Sequence, residues 1–188
     1  GTNSKIENST GNLNIYSKST DGDIKFFLDD NSSGTTQYVR IDGGENRTIF
    51  LKDSEHQDSV KAFFGNGDDL RIYHDGSSSH IENHTSNLTL TNYADDGDII
   101  LRSDDGSGGH TTYLTLDGSR ADGTYTYTTL PDNGVMAFGA SVDMQLYHNA
   151  TDSIIRNNTG NLNIINYADD ANINFQCDDG SGGIETYF

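Results

Sequence analysis

Asn12-Leu13-Asn14-Ile15 returns as Asn87-Leu88-Thr89-Leu90 and again as Asn161-Leu162-Asn163-Ile164. The leucine moves from position 13 to 88 and then to 162, which gives a period of 74 to 75 residues. Self-similarity at a fixed period is typical of proteins built from stacked, equivalent units. The sequence therefore predicts a repeat array rather than one ordinary globular domain. The same shifts align Gly34 with Gly109 and Gly183, and Tyr38 with Tyr113 and Tyr187.

The second and third copies also match over longer stretches. Residues 92–96 return at 166–170, and residues 104–109 return at 178–183. We divide the chain into a partial fibre repeat at 1–63, a complete fibre repeat at 64–137 and a second partial fibre repeat at 138–188. Because both ends fall partway through a repeat, we expect the chain to be a piece of a longer array.

Short runs of alternating apolar and polar residues fill each repeat. This period of two is typical of β-strands, and no helical pattern of useful length is present. Asp-Gly and Asn-Gly dipeptides between the runs supply the positive φ angles of tight hairpin turns. The predicted fold class is all-β, with strands at 70–74, 80–83, 88–92, 99–102, 112–116, 125–130 and 135–138. The predicted turns lie at Asp75-Gly76, Asp96-Gly97, Asp105-Gly106, Asp117-Gly118 and Asn133-Gly134. Residues 44–62 and 119–133 match poorly between repeats and are predicted to be surface loops or loosely packed strands.

Composition and charge exclude several functions. Hydrophobic residues make up only 32% of the chain, so a closed core of normal size would be hard to fill. Eleven basic residues against 29 acidic ones cannot form the basic face that nucleic acid or an anionic membrane needs. No run approaches the roughly 20 apolar residues that cross a bilayer. Cys177 is the single cysteine, so an intrachain disulfide is excluded. We expect no nucleic-acid partner and no membrane insertion.

Short strands with one apolar face are not stable alone, because that face and the strand edges stay open. Winding identical chains together buries the Leu and Ile face at a shared axis and pairs the edges between chains. The expected architecture is an intertwined homotrimeric β-fibre of the triple β-helix or β-prism kind. The number three rests on analogy with known fibres.

Two runs resemble the repeated segments of tail-fibre proteins from marine bacteriophages, including those of cyanobacteria. They are residues 68–76, Asp-Asp-Leu-Arg-Ile-Tyr-His-Asp-Gly, and residues 85–90, Thr-Ser-Asn-Leu-Thr-Leu, followed by Asp98-Ile99-Ile100-Leu101. The resemblance implies a structural virion protein, located in the extracellular tail fibre, that supports host recognition and attachment. It also implies other tail or fibre proteins and a host surface glycan as partners. Some fibre tips thread iron through His-x-His motifs, and none of the six histidines here has that spacing.

Acidic, glycine-rich loops are the first candidates for chemistry. Residues 104–109 and 178–183 read Asp-Asp-Gly-Ser-Gly-Gly, and residues 29–34 are a weaker copy. Their oxygen atoms suit Ca²⁺, which takes six to eight oxygen ligands. Neither EF-hand spacing nor a Gly-Gly-x-Gly-x-Asp repeat is present, so a solvated turn is the preferred interpretation.

Two other patterns suggest a site less strongly. Tyr73-His74-Asp75 and Tyr147-His148-Asn149 place a histidine at equal phase, but the change from Asp to Asn favours a surface histidine beside a turn. The adjacent Asp95 and Asp96 point apart in a strand or turn, which does not suit glycoside hydrolysis.

Repetition favours architecture, because a catalytic site is normally built once. We expect no enzyme activity and no catalytic, cofactor-binding or metal-binding residue. A glycan-binding module, a polysaccharide-degrading tailspike and a cellular surface adhesin or filament are the alternatives.

Overall fold

The computed structural model describes residues 4–30 and 34–187. These residues form short antiparallel strands in small sheets, and no helix occurs among them, which confirms the all-β prediction. Accordingly, no described helix has the length and apolar character needed to cross a membrane. The chain divides into two compact units, 1–88 and 89–188, each of which is described by itself. The repeat boundaries at 63/64 and 137/138 fall inside strands and stay a prediction.

The first unit holds two three-stranded sheets. Sheet I consists of β1 (Ile24–Asp29), β2 (Thr35–Asp42) and β3 (Arg47–Phe50), and sheet II of β4 (Ala62–Phe64), β5 (Leu70–His74) and β6 (Ser79–Asn83). In both sheets the central strand is the second in sequence, so each sheet is a simple meander.

The second unit repeats this plan and adds a two-stranded sheet. Sheet III consists of β7 (Ile99–Asp104), β8 (His110–Asp117) and β9 (Tyr127–Thr129). Sheet IV consists of β10 (Val135–Phe138), β11 (Met144–His148) and β12 (Ser153–Asn157). Sheet V is the pair β13 (Gln176–Asp178) and β14 (Ile184–Thr186), at the same repeat phase as the distal part of sheet III.

The sequence period is reproduced in the strand registers. Ile72 pairs with Ile81 in sheet II, and the equivalent Leu146 pairs with Ile155 in sheet IV. Sheets I and III have the same shift in strand register. Tyr38 in β2 and Tyr113 in β8 have no partner residue on the neighbouring strand, so each is the extra residue of a β-bulge at the same phase of the repeat. A bulge that returns at the same phase is a feature of the repeat and not a local irregularity.

Six of the seven predicted strands are present, with bounds that differ by up to two residues at either end. The strand predicted at 88–92 is wrong for the single chain, in which these residues belong to no sheet. Their apolar alternation is that of a strand, but a strand also needs a hydrogen-bonding partner. None of the strands in residues 4–30 and 34–187 supplies one.

The two stretches that match poorly in sequence contain β3 and β9. The β2–β3 loop is shorter than the β8–β9 loop, so the third strand is displaced along the repeat. Both stretches nevertheless make an equivalent backbone hydrogen bond near their C-terminal ends. The Ser59 N–H donates to the His74 carbonyl at 2.7 Å, and the Asn133 N–H donates to the His148 carbonyl at 2.8 Å. The longer β8–β9 loop is offset by a β9–β10 connection that is shorter than the β3–β4 connection. The two stretches therefore differ in sequence alignment although they span nearly the same length.

Four of the five predicted turn dipeptides contain a residue with positive φ, namely Gly76, Asp96, Gly106 and Asn133. Asp75-Gly76, Asp105-Gly106 and Asp117-Gly118 each lie between strands that pair with each other, although the connection at Asp117-Gly118 is a long loop and not a tight turn. The prediction of a hairpin is wrong for Asp96-Gly97 and Asn133-Gly134. Asp117-Gly118 has no positive φ. Gly118 is required there because another backbone segment approaches it closely.

A Cβ atom at Gly118 would lie 2.5 Å from the carbonyl oxygen of Gly97. Both groups belong to backbone, so we expect Gly118→Ala to lower the free energy of unfolding by about 1–3 kcal/mol, as overpacking does. Denaturant unfolding measures this change. Gly34→Ala is the control, because a Cβ there would meet no atom within 4 Å. An equal loss in both variants would contradict the close approach at Gly118.

Candidate functional site

One face of sheet II is apolar and open. Residues in cross-strand register, and alternate residues along a strand, share a face of a sheet. By this rule Ala62, Phe64, Leu70, Ile72 and Ile81 lie on one face. Ile72 is 44% exposed and Ile81 is 60% exposed, which is high for side chains at the centre of a sheet. We call these five residues the apolar face of sheet II.

Sheet IV carries the same face one repeat later. Met136, Phe138, Met144, Leu146 and Ile155 occupy the equivalent positions, in the same register. Ile155 is 60% exposed, as Ile81 is. All five positions are apolar in both repeats, so the open face is a property of the repeat.

The opposite face of sheet II is polar and better covered. The Tyr73 hydroxyl donates to Glu82 at 2.8 Å, the Tyr73 ring stacks on His80 with centroids 4.7 Å apart, and Lys61 lies over the same ring at 4.0 Å. The hydrogen bond to Glu82 raises the pKa of Tyr73. Tyr73 and His80 are less exposed than Ile72 and Ile81. The burial of the two faces is thus the reverse of that in a stable isolated sheet.

This polar face changes freely between the two repeats. Lys61, His80 and Glu82 become Val135, Ile154 and Arg156 at the equivalent positions of sheet IV. A face that exchanges charge and polarity between repeats has few packing constraints, whereas the apolar face keeps its character at every position. The apolar face is therefore the one expected to be covered by another surface.

Sheets I and III show the same division. Ile24, Phe26, Val39 and Ile41 share a face of sheet I, and their equivalents in sheet III are Ile99, Leu101, Leu114 and Leu116. All eight are apolar. Phe26 and Leu101 are about half exposed, at 49% and 51%.

The recurring Asn-Leu-x-Ile/Leu residues form a second open element, which we call the unpaired segments (12–15, 87–90 and 161–164). They run without strand, turn or bend. Each is preceded by a residue with positive φ, at Gly11, Ser86 and Gly160, and followed by another at Asp21, Asp96 and Asp170. Their leucine and isoleucine side chains are exposed in every copy. The geometry around these segments repeats as faithfully as their sequence does.

The acidic loops are closed by their own hydrogen bonds. Asp105 Oδ1 accepts from the N–H and the hydroxyl of Ser107 at 2.8 and 2.7 Å, and from the N–H of Gly109 at 3.0 Å. Asp179 makes the same three contacts with Ser181 and Gly183. These contacts favour the interpretation as a turn. The weaker copy at 29–34 lies partly outside the described residues.

The loop hydrogen bonds also hold both carboxylates in the charged form. The Ser107 side chain, followed by the Ser107 and Gly109 backbone, lowers the pKa of Asp105. The Ser181 and Gly183 backbone and the Ser181 side chain lower the pKa of Asp179. Each carboxylate is thus stabilised by donors from its own loop.

We expect a calcium chelator to leave the melting temperature unchanged, because Oδ1 of Asp105 and of Asp179 is already occupied by loop donors. Thermal unfolding followed by circular dichroism, with and without chelator, measures this. A chelator-induced decrease that added Ca²⁺ reverses would instead establish a calcium site.

The histidines at equal phase make equal contacts. His74 Nδ1 lies 3.2 Å from the Ser79 hydroxyl, and His148 Nδ1 lies 3.3 Å from that of Ser153. Asp75 Oδ1 accepts two turn N–H groups at 2.8 Å each, and the equivalent Asn149 Oδ1 accepts the corresponding two at 3.0 and 2.7 Å. The turn needs an acceptor oxygen, which both residues provide, and this explains the change from Asp to Asn.

The remaining carboxylate pair forms no concentrated site. Asp95 and Asp96 are exposed in a turn where Asp96 has a φ of 55°. No group of three or more His, Cys, Asp or Glu residues that could hold a metal ion occurs in the described part of the chain. Cys177 is an exposed free thiol.

The sequence predicted a Leu and Ile face that identical copies would cover, but it did not identify which residues form the apolar faces of sheets II and IV. These residues become recognisable when equivalent positions of the repeats are compared, and this comparison requires the strand registers. No family model, no curated protein and no solved structure matches the chain.

Proposed function

We propose that this chain is a segment of a homotrimeric β-fibre that acts as a structural shaft, of the kind that holds the receptor-binding part of a bacteriophage tail fibre away from the virion. The single observation that carries the proposal is that no hydrophobic side chain among residues 4–30 and 34–187 is buried in the isolated chain. Apolar burial is the main driving force of folding, so these sheets need a second surface.

The exposed area indicates how large that second surface is. The chain exposes 15,847 Å². Two separate globular bodies of half its mass each would together expose about 10,700 Å². The surplus is on the order of 5,000 Å² per chain, which lies in the range of obligate interfaces between subunits. Association of identical copies is the simplest way to cover it, since every copy carries the same open faces.

The distribution of the apolar faces supports an elongated assembly. They return every 74 to 75 residues with the same register, so interfaces between chains would be added in proportion to chain length. A shaft needs only this property. The choice of three chains and the assignment to a virion tail fibre depend on the resemblance of residues 68–76 and 85–90 to phage fibre repeats.

Electron microscopy of a chain in which residues 64–137 are duplicated tests the shaft model. We expect rods of constant width that lengthen by one fixed increment with the added repeat, because each repeat adds the same strands along one axis. A particle that grows in all dimensions, or stays compact, would contradict the shaft.

A glycan-binding function is the second candidate, and one observation favours it. Tyr93 and Tyr167 are 94% and 89% exposed at equal phase, as flat rings available to a ligand. A glycan array separates the two functions. Glycan binding that is abolished by Tyr93→Ala and Tyr167→Ala would show that the repeats themselves are adhesive. An array without bound glycan would support the shaft function alone.

A further inference from the structure

We infer that the unpaired segments are the points where copies of the chain join, each segment pairing as a strand with the same segment of its neighbours. Leu162 and Ile164 would then face inward, and Asn161 and Asn163 outward. This inference rests on the proposed function, because it names the elements that hold the assembly together. The argument uses the third copy, residues 161–164, which lies within one structural unit.

The backbone of this segment has no hydrogen-bonding partner in the part of the chain that the structure describes. No hydrogen bond involves the main-chain N–H or C=O groups of Asn161, Leu162, Asn163 or Ile164 among the described residues. The second copy, Asn87 to Leu90, is equally without one. Peptide groups that are not paired within the chain are available for strand addition from another chain.

Asparagine side chains fix both flanks of the segment. Asn157 Nδ2 donates to the carbonyls of Thr159 and Gly160 at 3.0 and 2.9 Å. Asn166 Nδ2 donates to the Asn172 carbonyl at 3.2 Å, and Asn166 Oδ1 accepts from the Ala168 N–H at 2.9 Å.

The preceding copy has the same flanking contacts. Asn83 donates to the carbonyls of Thr85 and Ser86 at 2.6 and 3.0 Å, and Asn92 donates to the Asp98 carbonyl at 3.0 Å. Flanks that are held while the residues between them stay unbonded describe a segment presented for pairing and not a loosely attached loop.

The side chains alternate as in a half-buried strand. Leu162 is 45% exposed and Ile164 is 54% exposed, and polar asparagines lie between and before them. In the second copy, Leu90 lines an open groove of about 360 Å³ together with Ile99 and Leu116 of sheet III. An apolar side chain from a neighbouring copy fits the chemistry of this groove.

The repeat favours the identical segment as the partner. In a parallel assembly with cyclic symmetry, equivalent residues of all copies lie at the same level along the axis. Each unpaired segment then meets only its own equivalents, and a chain that carries three such segments joins its neighbours at three levels. Alternating leucine and isoleucine at those levels would provide the apolar contact.

Site-specific crosslinking tests the inference in the full-length chain with Cys177→Ser, which removes the native thiol. Ile164→Cys places a thiol on the inward side, and Asn163→Cys places one on the outward side of the same segment. A short bis-maleimide joins two thiols without an oxidant. We expect Ile164→Cys to give crosslinked pairs in up to two-thirds of the chains, since one reagent joins two of three copies, and Asn163→Cys to give almost none. Leu162→Cys is a second inward variant if Ile164→Cys does not assemble.

Native mass is measured on each variant before crosslinking. Trimeric mass with crosslinks only at inward positions supports the inference. Trimeric mass with equal or absent crosslinking at positions 163 and 164 overturns the inference and leaves the proposed shaft intact. A single-chain mass for the Cys177→Ser parent overturns the proposed function itself.

Discussion

Ile155→Asp is expected to dissociate the assembly, although Ile155 is 60% exposed in the single chain. In a monomer an aspartate at so exposed a position stays hydrated and shifts stability by about 1 kcal/mol or less, mostly through lower strand propensity. Buried against neighbouring copies, an unpaired carboxylate costs about 3–5 kcal/mol in every copy. Sedimentation velocity on the variant at micromolar concentration measures the loss of the assembled species.

Gln145→Asp is the matched control. Gln145 lies on the neighbouring strand of sheet IV, on the opposite face, in register with Arg156. The substitution adds the same charge and has the same low strand propensity, so we expect assembly to persist. Dissociation of both variants, or of neither, would show that the apolar face of sheet IV is not the interface.

The second large effect concerns protein concentration. If the sheets are stable only in a trimer, unfolding and dissociation occur together, and stability depends on the total concentration of chains. A tenfold dilution should then destabilise the folded state by about 2.8 kcal/mol per mole of trimer. One trimer gives three free chains, so the equilibrium depends on the square of the concentration, and each of the two factors of ten costs about 1.4 kcal/mol. Denaturant midpoints at three concentrations measure the dependence.

A monomer that folds alone would give the same midpoint at all concentrations. The Gly118→Ala variant is a useful comparison in this experiment. Its clash with Gly97 is internal to one chain, so it should lower every midpoint and keep the dependence on concentration.

Much of the fold follows from the sequence. Alternating residues such as Leu70–His74 and Val135–Phe138 are strands at the predicted bounds, because a local period of two is sufficient to define them once a neighbouring strand exists. The turn at Asp75-Gly76 is likewise local. Residues 88–92 have the same alternation but form no strand, since pairing is a tertiary property and no described strand pairs with them.

The site was less accessible to sequence reasoning. The apolar face of sheet II depends on the cross-strand register of Ile72 with Ile81, which residue order alone does not give. The role of Gly118 is similarly non-local, because the atom it avoids belongs to Gly97. Asn83 and Asn157 occupy the same phase of the repeat, but only their hydrogen bonds show that they fix the flanks of the unpaired segments.

Native mass spectrometry of the purified chain at micromolar concentration shows whether copies of this 20.5 kDa chain cover its open faces. We predict a species of three times that mass and no stable single chain. A folded, protease-resistant species with the mass of one chain would contradict the account.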